Sequence, residues 1–243
     1  MNGAGVVCRG LMCRPGGFAI TDRAMRFCRF PRGARLADIG CGLGATVRHV
    51  GRTYGVDICG VDCGGDMIAR ARTLSELEAP PRDDVFFDAD AAHLPFAAEE
   101  MDGLLFECSM SKMDDPERVL AECRRVLKPG GRLIISDLYA RGKEAQFLGL
   151  LGRVETREII VNRLASRGFS SALFEDYSAF LKEMWGRMIM ENGLCALCEN
   201  LGTNAAGLRE TRCGYCLIIA VKGAPFRTGC PQGVGALAKG VAD

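Results

Sequence analysis

No run of about 18 apolar residues occurs anywhere in the sequence, so it lacks a segment of the kind a bilayer-spanning helix needs. The opening stretch, Met1 to Gly10, holds one Arg, one Cys and no sustained apolar segment, and it does not read as a signal peptide. Charge of one sign is also scarce. Lys and Arg number 31 against 30 Asp and Glu, a net +1 that gives no electrostatic case for nucleic acid or an anionic membrane. The Arg124–Arg125 pair falls within an amphipathic helical pattern and reads as a solvated helix face. Histidine occurs twice, at His49 and His93, which leaves few candidates for a general base. There is no internal repeat.

What is present suits a soluble globular chain: 243 residues, 48% apolar and 25% charged. That length can bury roughly 70–75% of its unfolded surface without staples. One domain over residues 1–222 is expected, with a Gly- and Ala-rich tail from 223 to 243 expected to be disordered. Cysteine is abundant, at 13 residues. With no export signal, thiols in that number predict a reducing, cytoplasmic setting where they stay free, bind metal or do redox work.

Short apolar runs alternate with helical patterns from about residue 35 to 137. Strands are predicted at Leu36–Ile39, Asp57–Val61, Val85–Phe87, Met101–Phe106 and Arg132–Ser136, with helices at Gly44–Tyr54, Asp66–Glu78 and from Pro116 to the Lys128-Pro129-Gly130-Gly131 stop. Alternation at this spacing predicts an α/β fold, a parallel sheet with helices on both faces. Its ligand is expected outside the carboxyl ends of the strands. Further on, a helix over Val154–Arg167, a strand over Phe169–Phe174, a helix over Ser178–Asn192 and a last strand over Gly214–Val221 are expected. The stripe Phe180, Met184, Trp185, Met188 reads as core packing.

Asp38-Ile39-Gly40-Cys41-Gly42-Leu43-Gly44 joins the first strand to the first of these helices. Glycines there let a ligand approach the backbone, and the helix N-terminus offers free amides. A dinucleotide-binding loop wants G-x-G-x-x-G; here the third glycine comes one residue early, which tilts the reading away from a pyrophosphate. Asp62 ends the second strand, where a carboxylate accepts hydrogen bonds from both ribose hydroxyls of an adenosine ligand. Asp90, after the third strand, is placed to accept from an adenine amino group. A surface carboxylate is the plain alternative for each.

The ordered set DIGCGLGAT, GVD, DADAAHLPF, MDGLLFECS and ERVLAECRRVLKPGGRLIISDLY resembles the class I S-adenosylmethionine-dependent methyltransferases over roughly residues 14–140. That resemblance implies a Rossmann-like sheet of seven strands, mostly parallel with an antiparallel last strand, and leaves residues 141–222 to shape the acceptor side. It implies that Asp38, Gly40, Cys41 and Gly42 meet the cofactor's amino acid portion, Asp62 the ribose, and Asp90 with Ala91 the adenine. Glu107 and Cys108 would lie beside the sulfonium and the methyl acceptor. Methyl transfer needs an aligned nucleophile, and orientation alone can supply about 7–11 kcal/mol in favourable cases, so no base is forced.

Two narrower resemblances concern the acceptor. Cys108-Ser109-Met110 with the KMDDPERVLAECRRVLKPGG stretch is similar to arsenite methyltransferases, which implies Cys108 as a thiolate ligand to a metalloid. The family's next arsenic cysteine has no match in Gln146–Arg153. Arg14-Pro15-Gly16-Gly17-Phe18-Ala19-Ile20-Thr21, Glu107-Cys108-Ser109-Met110-Ser111, Glu175-Asp176-Tyr177-Ser178 and Gly214-Tyr215 resemble a bacterial methyltransferase subgroup encoded near radical-SAM proteins. That implies a radical-SAM protein as a partner and a small-molecule acceptor of unstated identity.

Cys195-Ala196-Leu197-Cys198 and Cys213-Gly214-Tyr215-Cys216 are two C-x-x-C pairs with 14 residues between them, close to a four-thiolate zinc pattern. The alternatives are buried free thiols, a disulfide or redox chemistry. The zinc reading requires a turn at Cys213–Cys216 ahead of the last strand, because strand side chains three apart point to opposite faces.

Overall fold

Runs such as Leu133-Ile134-Ile135 are apolar on both sides because the strands they form are covered on both sides. The computed structural model describes residues 14–78, 84–148 and 151–223, and the tail from 224 onward lies outside the described residues. The central sheet has seven strands: β1 (Arg35–Ile39), β2 (Asp57–Asp62), β3 (Phe86–Asp88), β4 (Met101–Glu107), β5 (Leu127–Ala140), β8 (Phe169–Asp176) and β9 (Cys213–Lys222). Their order is β3-β2-β1-β4-β5-β9-β8. β1 to β5 pair in parallel, and β9 runs antiparallel to both its neighbours, β5 and β8. The expected architecture holds. A separate two-stranded hairpin, β6 (Ala145–Gln146) and β7 (Arg153–Val154), follows β5.

Side chains alternate between two apolar clusters. Leu104, Phe106, Ile135 and Ile218 pack with Val119 and Leu120 of α4 (Pro116–Val126) and Leu164 of α5 (Arg157–Ser166). Leu105, Ile134, Leu217 and Ile219 turn the other way, toward Ile20 and Ala24 of α1 (Ala19–Cys28), Val50 of α2 (Ala45–Tyr54) and Leu181 of α6 (Ser178–Leu201). Ile68 and Ala71 of α3 (Gly65–Glu76) meet Val47 and Phe86 at the β3 edge. Phe180, Met184, Trp185 and Met188 pack against the second cluster.

Several boundaries differ from expectation for local reasons. α4 starts as predicted, since the Asp115 side chain accepts from the Arg118 amide at 3.0 Å and Pro116 fills the first turn. It ends at Val126 and the chain enters β5 at once, with Lys128–Gly131 taken up in an irregularity of the β4–β5 pairing. α5 begins at Arg157 because Arg153 and Val154 are spent in the hairpin and Thr156 caps the helix. The expected helix stop after Asn192 is real: Gly193 is non-helical (φ 84°, ψ 159°), but a second helical segment runs on to Leu201. α1 and α7 (Ala205–Thr211) were not expected from periodicity.

Candidate active site

The carboxyl ends of β1, β2, β3 and β4 meet at one edge of the sheet. Gly40 stands at φ 73°, and a Cβ there would fall 2.6 Å from Ser109 Cβ, so the turn after β1 passes against the turn after β4 only with glycine. The Gly40 and Cys41 amides donate to the Val61 carbonyl at 2.8 and 3.1 Å. At Gly42 (φ 52°) an added Cβ would meet nothing nearer than 4.0 Å, which leaves that face of the loop open to a ligand.

Asp62 ties the loops together. Its Oδ2 accepts from the Gly42 amide at 2.8 Å and its Oδ1 from the Gly64 amide at 2.9 Å, while its backbone carbonyl accepts from Ala89 at 3.0 Å. Each carboxylate oxygen keeps a further lone pair, enough for two ribose hydroxyls. Asp90 sits in the turn after β3, with Oδ1 accepting from the Ala92 amide at 2.9 Å and its side chain two-thirds exposed. Ala91 beside it is buried.

Asp38, 2% exposed on β1, is pushed up to about 7 by burial, with Asp62 adding to the rise and the Arg14 guanidinium opposing it. Its Oδ1 has no hydrogen-bond partner. A buried unpartnered carboxylate oxygen at the mouth of a glycine loop suits a ligand ammonium group, and with Asp62 and the open Gly42 face it fits the amino acid and ribose portions of S-adenosylmethionine.

Glu107, at the end of β4, is nearly sealed, with 5% of its side chain exposed. Thr21 Oγ1 donates to its Oε1 at 2.5 Å, Thr46 Oγ1 donates to its Oε2 at 2.5 Å, and Arg14 pairs with it. The Arg14 Nη1 also donates to Thr46 Oγ1 at 2.7 Å. Sequence reasoning singled out Glu107 but not its partners Arg14, Thr21 and Thr46. The available signal was the joint presence of the RPGGFAIT and ECS segments, which the fold brings into contact.

Cys108 follows at φ 55°, with Sγ 3.0 Å from Tyr215 Oη. The Tyr215 hydroxyl donates to the Ser136 carbonyl at 3.1 Å, which leaves its oxygen to accept from the thiol. Burial, with Asp137 adding to it, pushes the Cys108 thiol up to about 12. Bound to a metalloid, the sulfur would give up this proton and its contact with Tyr215. His49 belongs to α1 docking, stacked on Phe18 at 3.8 Å and 2.6 Å from Asp22 Oδ1. His93 is exposed and contacts Arg118.

The four cysteines of the expected zinc site do not come together. β9 begins at Cys213, with no turn before Cys216. Cys213 faces the α1/α6 cluster and Cys216 the α4/α5 cluster, with Cys216 Sγ against the Asp137 carbonyl at 3.5 Å. Cys195 is exposed and Cys198 buried on the second segment of α6. Among the described residues no three His, Cys, Asp or Glu side chains converge to hold a metal ion. No helix among them is long and apolar enough to cross a membrane.

This sheet order is that of the class I methyltransferase fold. Residues 37–135 match the family model described as a methyltransferase domain. Over 114 residues the chain is 40% identical to methyltransferase GfsG of Streptomyces halstedii, covering 45% of this chain and 40% of that protein. The chain spans 40–48% of the first curated relatives it matches. Phosphoethanolamine N-methyltransferase 2 of Haemonchus contortus, solved with phosphomonomethylethanolamine and S-adenosylhomocysteine, superposes with a TM-score of 0.70 at 21% identity, over 88% of this chain and 55% of that one. The [4+2]-cyclase SpnF superposes at 0.69 with 24% identity, over 84% and 80%.

Proposed function

We propose that this chain transfers a methyl group from S-adenosylmethionine to a small-molecule acceptor. The observation that carries the reading is the glycine loop between Asp38, whose Oδ1 is buried and unpaired, and Asp62, which accepts from the Gly42 amide. When bound, the cofactor supplies an electrophilic methyl on a sulfonium sulfur, and a nucleophile displaces neutral S-adenosylhomocysteine.

In this reading Asp38 takes the cofactor's ammonium, Asp62 both ribose hydroxyls and Asp90 the adenine amino group. Glu107 is not a base, because its two oxygens already accept from Arg14, Thr21 and Thr46. Cys108 and Tyr215 are both held protonated by burial. The acceptor therefore brings its own nucleophilic lone pair and releases any proton to water. Catalysis rests on orientation. A polar cleft of about 400 Å³ lined by Lys112, Met113, Asp114 and Arg153 supplies room for a small polar acceptor.

The test is methyl transfer from labelled S-adenosylmethionine across a panel of small amines, phenols, carboxylates and arsenite, beside thermal stabilisation by S-adenosylhomocysteine. About 2.7 kcal/mol of stabilisation is expected at a hundredfold excess over the dissociation constant. Transfer to an organic acceptor supports the reading. Absence of stabilisation overturns it. Binding without transfer to any acceptor turns the reading toward a cofactor-binding partner of a radical-SAM enzyme.

A further inference from the structure

Arg14, whose charge interacts with that of Asp38, carries a second set of unpaired polar atoms. The Arg14 side chain is 11% exposed, and only its Nη1 is engaged, by Thr46 at 2.7 Å and by Glu107. Nε and Nη2 are buried without a partner. These two N–H groups share one edge of the guanidinium and point in parallel, the fork that a carboxylate fills with both oxygens. A buried donor left unmade costs about 1–3 kcal/mol, and more when it is charged, so two on one guanidinium call for an occupant.

The third unpaired group is Asp38 Oδ1, and Asp38 is the charge that most favours the Arg14 cation. Two donors on one group and an acceptor on the other, left unpaired with each other, are complementary to an α-amino acid head, whose carboxylate accepts and whose ammonium donates. Arg14 is also firmly placed. Its guanidinium lies 4.8 Å from the Phe18 ring centroid, and Phe18 stacks on His49. Gly16 sits so close to α6 that a Cβ there would fall 2.7 Å from Phe180 Cδ2.

We propose that Arg14, reaching in from the segment before α1, binds the α-carboxylate of the cofactor's amino acid portion through Nε and Nη2, opposite Asp38. The inference rests on the function proposed above and adds a residue outside the glycine loop to the cofactor site. The competing role is structural, Arg14 serving only to neutralise Glu107.

The experiment compares binding of S-adenosylhomocysteine, its decarboxylated analogue and 5′-methylthioadenosine, which lacks the amino acid portion, to wild type, Arg14→Met and Arg14→Lys. Wild type is expected to prefer S-adenosylhomocysteine over the decarboxylated analogue by at least about tenfold, the worth of one charged hydrogen-bond pair. Arg14→Met should erase that preference and leave 5′-methylthioadenosine binding within about twofold, whereas Arg14→Lys, a cation without the fork, should retain part of it. Equal loss for all three ligands, or no wild-type preference for the carboxylate, overturns the assignment. Should Arg14→Met fail to fold, the wild-type preference and the Arg14→Lys series decide it. Failure of wild type to bind any of the three defeats the functional reading itself, a different result from losing the preference alone.

Discussion

Asp62 accepts the amide of Gly42 at 2.8 Å, so the carboxylate expected to hold a ribose also fixes the loop expected to hold the amino acid. Asp62→Asn replaces one acceptor oxygen with a donor and sets it against either the Gly42 or the Gly64 amide. Hydrogen bonds to a charged acceptor contribute about 1.5–3 kcal/mol. Calorimetry should show S-adenosylhomocysteine binding weakened by at least about tenfold, together with a lower melting temperature in the absence of ligand. Unchanged affinity would dissociate Asp62 from the site.

Gly40→Ala and Gly130→Ala form a matched pair. Both glycines have φ near 75°, but a Cβ at Gly130 meets nothing within 4 Å whereas one at Gly40 strikes Ser109. Gly130→Ala should cost only the left-handed backbone penalty, about 1–2 kcal/mol. Gly40→Ala should cost clearly more and abolish S-adenosylhomocysteine binding. Urea midpoints and a ligand titration read both, and equal costs would contradict the close approach of the two turns.

Asp38 makes a pH prediction of definite sign. Its folded value of about 7 lies above that of an unfolded carboxyl, so the native state holds the extra proton between about pH 4 and 7. Stability contributed through this group is present below pH 4 and is lost as pH rises to 7. Asp38→Asn should flatten that slope, gaining on wild type at pH 8 relative to pH 5 in urea unfolding. Ligand binding runs the other way. An ammonium needs the ionised carboxylate, so wild-type affinity for S-adenosylhomocysteine should fall about tenfold per unit below pH 7, and Asp38→Asn should bind weakly without that dependence.

Thiol labelling separates the cysteines by environment. Cys63 and Cys195 are exposed, whereas burial holds the Cys108 thiol up near 12 and raises Cys123 and Cys216 as well. Brief alkylation of the native protein at pH 8 should mark Cys63 and Cys195 and spare Cys108, as read by peptide mass spectrometry. Rapid modification of Cys108 would reopen a thiolate role for it.

The cofactor half was legible in the sequence because each of its cues is local. Apolar runs end at glycines, Asp115-Pro116 caps a helix, and Asp62 and Asp90 stand at strand ends. α1 was not legible: its buried side includes the small or polar Thr21 and Ala24, and it follows an RPGG segment that reads as a loop. Arg14 and Thr21 acquire meaning only through Glu107, which the sequence places far away and the packing of α1 against the sheet brings near. The C-x-x-C pairs illustrate the converse. Their spacing suggests a metal, but strand geometry sends Cys213 and Cys216 to opposite faces.

The position of β9 bears on how the molecule is made. It follows every other strand among the described residues, yet it fills the gap between β5 and β8, pairing with nine residues of one and seven of the other. A nascent chain that has emerged only as far as Arg212 therefore carries two open strand edges, apolar and available to a neighbouring molecule. Its sheet cannot seal until Lys222 is available to pair, so assembly depends on contacts of long sequence separation. Tyr215, which holds Cys108, arrives on that same strand, so the surroundings of Cys108 take shape only as the sheet closes.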